Sequence, residues 1–278
     1  MKSDKLNYSS VGESREELSP IVLLPTEEGK AVVEPIGEIS AGYSKREPVV
    51  DVKILFIISG GEKREKDYFR VLMKNCGSIL LKVAFCSKKG NGLNPQGMVE
   101  KAKKFLDKKL FITAKDAKAI PMEGDDTIYL LQDIDLFEAD IRELNKKGMP
   151  VGAEWVISNP AFEIWLFYHY FDSPKGRIDE LDSLSVGQRS QRLKQLLDEV
   201  KPGGINPMQA FYEMKTAIEN SKINWRENKG LPALYSTQMH VLASEILRLL
   251  GEDNFDKLKA RWAENIRFWK EHSLRKSE

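Results

Sequence analysis

Ile128-Tyr-Leu-Leu-Gln-Asp-Ile-Asp135 is a short apolar run closed by two aspartates one residue apart. A continuous apolar run of this length suits a parallel strand buried on both faces, and open α/β sheets bind ligands just beyond the carboxyl ends of such strands. Residues i and i+2 at a strand end can point the same way, so Asp133 and Asp135 are placed to share one hard cation through oxygen ligands. A second reading stays open. Asp135-Leu-Phe-Glu138 is also a capping-box pattern that opens the next helix.

Working outward, the flanking segments alternate between strand and helix patterns. Val52–Ile58 is β-branched and apolar, and Ser59-Gly60-Gly61 closes it. A helix is predicted from about Lys63 to Asn75, with Tyr68, Phe69, Leu72 and Met73 on one face. A small-residue turn between strand and helix can hold a phosphate, although Ser-Gly-Gly is neither a Walker loop nor a dinucleotide fingerprint. Glu62 and Glu65 fall in the helix's first turn, where the dipole favours acids without any function.

A second strand, Ile79–Phe85, leads into the loop Ser87-Lys-Lys-Gly-Asn-Gly92, and Asn94-Pro95 caps the lysine-rich helix that follows. Lys88 and Lys89 can contact a phosphate backbone, or the lysines can simply be a solvated face. After the 128–135 run come a helix to about Lys147 and a strand, Val151–Ile157. This alternation predicts a parallel sheet with helices on both faces.

Ser158-Asn-Pro-Ala-Phe-Glu163 then enters a helix apolar nearly all round, with Asn159 as N-cap and Pro160 at the first position. Glu163 is the one acid inside it. A bare carboxylate in an apolar interior is costly, so Glu163 must be paired, held by helix amides, or face a wet cleft. His169 reads as a satisfied core histidine.

From Asp172 the pattern is helical, with amphipathic segments at 187–200, 208–220, 237–250 and 255–272. Trp225, Trp262 and Trp269 read as packing residues. Residues 1–50 are an extended or disordered arm whose apolar runs, Ile21–Leu24 and Ala31–Val33, can lay a short strand on the domain or on a partner. The domain plan is therefore an arm (1–50), an α/β core (51–172) and a helical C-terminal subdomain (173–278).

A net charge of +1 gives no global field for nucleic acid, so any such contact must come from a local patch. Two cysteines, Cys76 and Cys86, offer no disulfide or zinc framework and read as reduced thiols, which fits the cytoplasm. No apolar run reaches the length of a membrane span.

Phe56-Ile-Ile-Ser-Gly-Gly-Glu-Lys-Arg-Glu-Lys-Asp-Tyr-Phe69, Gln132-Asp-Ile-Asp135 and Ser158-Asn-Pro-Ala-Phe-Glu-Ile-Trp-Leu166 together resemble the RloB family, across roughly residues 51–250. Tyr235-Ser-Thr237 is a faint match to its last motif. The resemblance implies a Toprim-like Rossmannoid sheet and a nuclease using Mg²⁺ or Mn²⁺ against mobile elements, with a partner ATPase as a further expectation. It implies Asp133, Asp135 and Glu65 as metal ligands, Glu62 and Glu163 as further site acids, and Lys88, Lys89 and Arg64 on phosphate. One departure stands out: the glutamate that usually anchors the Toprim turn falls at Gly60. A chain that has lost that acid can instead be a non-catalytic subunit that binds nucleic acid or the ATPase.

Overall fold

The aspartate-terminated run is a strand, and it lies inside a sheet rather than at its edge. The computed structural model describes residues 21–25 and 31–35 by their backbone, and residues 52–73, 81–88, 93–113, 119–201 and 203–274, the side chains of 269–274 excepted.

In the N-terminal unit, β1 (Ile21–Pro25) and β2 (Ala31–Pro35) pair with each other as an antiparallel hairpin. The rest of the predicted arm, like Cys76 and Lys89, lies outside the described residues.

In the second unit the order is β3 (Lys53–Ser59), α1 (Arg64–Met73), β4 (Leu81–Cys86), α2 (Pro95–Lys108), the small hairpin β5 (Leu110–Ile112) and β6 (Ala119–Pro121), β7 (Ile128–Asp133), α3 (Glu138–Lys147) and β8 (Ala153–Ser158). These strands, β5 and β6 apart, form one parallel sheet in the order β4-β3-β7-β8. The fold is Rossmann-like α/β. The chain steps from β3 to β4 on one side, then returns to β3's other side as β7, so β3 and β7 flank the point where strand order reverses. A crevice at the carboxyl ends of two such strands is where this class of sheet binds ligands.

Period-two alternation sends strand residues into two cores, which explains why the runs are apolar throughout. Leu55, Ile57, Leu131 and Val156 pack with Tyr68, Phe69 and Leu72 of α1. Phe56, Ile58, Ile128 and Leu130 pack with Met98, Ala102 and Phe105 of α2. The start of α2 follows the sequence: Pro95 is its first residue and Asn94 Oδ1 accepts the Gly97 N–H at 2.9 Å.

The remaining helices are α4 (Glu163–Tyr168), α5 (Val186–Val200), α6 (Pro207–Ala210), α7 (Met214–Ile223), α8 (Met239–Leu250) and α9 (Glu252–Leu274). They share the α1-side core, to which Trp165, Leu193, Phe211, Leu242 and Phe255 all belong. The expected helix 208–220 is divided by a 3₁₀ turn at Phe211–Glu213. Trp262 stacks on Tyr212 at 4.8 Å, and His169 is buried between Tyr68 Oη (3.2 Å) and Trp165 O (2.8 Å), both as packing roles require. Burial lowers the His169 pKa to about 3, so the ring is neutral.

Two local expectations are corrected. Asn159 does not cap a helix. Its side chain donates to Pro232 O at 2.8 Å and its backbone N–H to Ser236 O at 2.9 Å, so the C-terminal layer holds it, and α4 begins only at Glu163. Asp135 does not form a capping box either. It sits in a 3₁₀ turn, Asp135–Phe137, ahead of α3, and makes no side-chain cap bond. No helix among the described residues is long and apolar enough to cross a membrane.

Candidate functional site

A cleft of about 270 Å³ opens at the reversal point, lined by Gly61, Glu62, Lys63, Arg64, Glu65, Asp133, Glu163 and Lys194. Four elements converge there. The turn after β3 supplies Gly61 to Lys63, α1 supplies Arg64 and Glu65, the last residue of β7 is Asp133, and α4 and α5 supply Glu163 and Lys194.

Asp133 is fixed by the backbone it faces. Its Oδ1 accepts the Phe162 N–H at 2.8 Å, taking up one of the amides left free at the start of α4. Glu65 folds back against the turn so closely that a methyl at Gly61 would collide with its carboxylate. Glu163 is 5% exposed at its side chain, with Oε1 3.4 Å from Arg64 Nη1 and 3.8 Å from Lys194 Nζ.

Burial in this partly dry cleft, beside the Glu163 carboxylate, perturbs the titration of Glu65 and Asp133. Glu65 is raised to about 7, chiefly by desolvation and then by the Glu163 charge, against a hydrogen bond and nearby cations that lower it. Asp133 is raised well above the usual carboxylate range, again first by desolvation, then by Glu163 and Glu65. Perturbed acids gathered in a cleft mark a functional site.

The structure therefore brings together five of the residues singled out in the sequence, Glu62, Arg64, Glu65, Asp133 and Glu163, and separates others. Asp135 does not line the cleft. Ile134 already has helical angles (φ −70°, ψ −44°), so the strand ends at Asp133 and the i, i+2 geometry is lost. Asp135 Oδ1 is buried with no hydrogen-bond partner among the described residues. Lys88 is exposed just past the carboxyl end of β4 and does not line the cleft.

Lys63 and Lys194 were missed. For Lys194 the available signal is helical spacing. Ser190, one turn earlier on α5, is buried and donates to Pro160 O at 3.4 Å, so position 194 lies on the same face.

Gly60 is explained by its surroundings. A Cβ there would run into the end of the Gln132 side chain and come 3.2 Å from Leu93 O, and neither residue lines the cleft. The cleft's carboxylates come from other positions.

A family model described as RloB-like protein matches residues 55–246. The chain belongs to that family. No curated protein and no solved structure matches it. The RloB match runs from β3 into α8, so it takes in every cleft residue, Lys194 included.

For a divalent cation, the donor chemistry of this RloB cleft fits: Glu65, Asp133 and Glu163 offer hard carboxylate oxygens. Among the described residues, no three acidic, histidine or cysteine side chains are already gathered to hold a metal. Glu163 is instead turned to two basic side chains.

Proposed function

We propose that this RloB-family chain is a metal-dependent nuclease that cleaves nucleic acid in cytoplasmic defence against phage. The observation that carries the reading is the convergence of Glu65, Asp133 and Glu163 at the sheet's reversal point, beneath Lys63, Arg64 and Lys194. Glu65, Asp133 and Glu163 would hold Mg²⁺ or Mn²⁺, which supplies an activated water and charge stabilisation at the scissile phosphate. Arg64, Lys63 and Lys194 position the phosphate, Arg64 with a planar fork suited to two phosphate oxygens. Where Glu65 stands off the cation instead of binding it, its carboxylate is placed to act as general base toward the attacking water.

The test is cleavage of a labelled panel of DNA and RNA with Mg²⁺ or Mn²⁺ by wild type and Asp133→Asn. Metal-dependent cutting that the substitution abolishes supports the reading. Equal cutting by both proteins would remove it.

One observation favours a second reading, a non-catalytic subunit that binds nucleic acid or a partner ATPase. Glu163 is already balanced by Arg64 and Lys194, so this carboxylate has its charge met without a metal. That reading expects unchanged biological activity in the double substitution Asp133→Ala, Asp135→Ala.

A further inference from the structure

We infer that Arg64 and Lys194 form a clasp on Glu163 that exchanges partners, so that divalent cation and phosphate enter the cleft cooperatively. The inference rests on the cation-site reading above and adds how that site is regulated.

Burying the Glu163 carboxylate is costly. A carboxylate this buried needs a charge partner, and it has two, from different helices: Arg64 on α1 and Lys194 on α5. Both contacts, at 3.4 and 3.8 Å, are longer than a well-formed charged hydrogen bond, and both cations keep an exposed side, 35% for Arg64 and 48% for Lys194. Among the described residues no hydrogen bond holds either group inward, so each can swing toward its exposed side.

Asp133 and Glu65 line the same cleft as this carboxylate. A divalent cation drawn to these three acids would satisfy Glu163 in place of the clasp and repel both basic groups. Turned outward, Arg64 and Lys194 remain at the mouth of the cleft, where a phosphate supplies the negative charge they have given up. A phosphate arriving first does the converse, pulling the basic groups off Glu163 and leaving a carboxylate for the metal. Each ligand therefore raises the affinity for the other by the same factor.

The measurement is Mn²⁺ affinity by calorimetry, with and without a short phosphorothioate oligonucleotide, in wild type, Arg64→Met, Lys194→Met, Lys194→Arg and Asp133→Asn, each checked for folding by circular dichroism. Arg64→Met and Lys194→Met should bind Mn²⁺ about tenfold more tightly than wild type without oligonucleotide, the scale of a typical coupling. The oligonucleotide should tighten Mn²⁺ binding to wild type and Lys194→Arg, and do so less in the two Met variants. Mn²⁺ binding that depends on Asp133 but is unchanged or weaker in both Met variants would overturn the clasp alone. Equal binding by wild type and Asp133→Asn, or none in any protein, would overturn the cation site and the clasp with it.

Discussion

Asp133 Oδ1 accepts the Phe162 N–H at 2.8 Å, so the carboxylate at the end of β7 also anchors the start of α4, the helix that carries Glu163. Asp133 thus has a structural role and a chemical one, and two substitutions separate them. Asparagine keeps an oxygen for Phe162 and removes a charge that burial makes costly. Alanine removes both. At pH 8 without divalent cation, Asp133→Asn should be at least as stable as wild type, and Asp133→Ala less stable than Asp133→Asn by about 1 kcal/mol, the usual worth of a helix cap. Thermal or urea denaturation decides it, and an alanine variant more stable than the asparagine one would contradict the capping role.

Gly61 gives Glu65 its place. Because a methyl at 61 would strike the Glu65 carboxylate, Gly61→Ala should displace that side chain while leaving the sheet intact. The expected result is a near-native melting temperature with Mn²⁺ binding weakened as much as in Glu65→Gln. Wild-type Mn²⁺ affinity in Gly61→Ala would show that the position of Glu65 does not matter.

Gly60 and Gln132 are packed as a pair. Gln132 Oε1 is buried without a hydrogen-bond partner among the described residues, and it fills the space that a side chain at 60 would need. Gly60→Ala should cost about 1 kcal/mol, the low end of overpacking, because the end of Gln132 can move aside while Leu93 O, 3.2 Å away, is backbone. Adding Gln132→Ala should recover part of that loss, since residues in direct contact couple. Strict additivity in the double-mutant cycle would show that the two do not compete for space.

How far the sequence discloses this site depends on how local each determinant is. The strands were legible because both sheet faces are covered, which makes Lys53–Ser59 and Ile128–Asp133 apolar along their length. Glu163 was legible as the lone acid in an apolar helix. Asp135 was misplaced because spacing alone assumes a strand that runs on, whereas the backbone turns helical at Ile134. Asn159 was misread because its partners, Pro232 and Ser236, are remote in sequence. Helical spacing puts Lys194 on the Ser190 face of α5, but that this face meets the 160 loop is set by packing between segments remote in sequence.

The raised pKa of Glu65 has a consequence for stability whose sign is fixed. In the unfolded chain the carboxyl titrates at its ordinary value near 4.5, and in the folded protein at about 7. Between those values the folded state holds more protons than the unfolded one, so stability falls as pH rises through this window. Asp133 is shifted in the same direction and adds to the effect. Neutral His169 acts in the opposite sense, since its folded pKa is lowered and its contribution is lost as pH falls below about 6.5. A comparison of wild type with Glu65→Gln cancels the His169 contribution, which both proteins share. The difference in unfolding free energy between them should grow in favour of Glu65→Gln from pH 5 to pH 8, by up to about 3 kcal/mol. Millimolar Mn²⁺ should reverse most of it in wild type by binding the ionised acids of the folded state. A difference that stays flat across this range without metal would mean that Glu65 is solvated well enough to titrate normally, and the desolvated acid cluster would have to be abandoned.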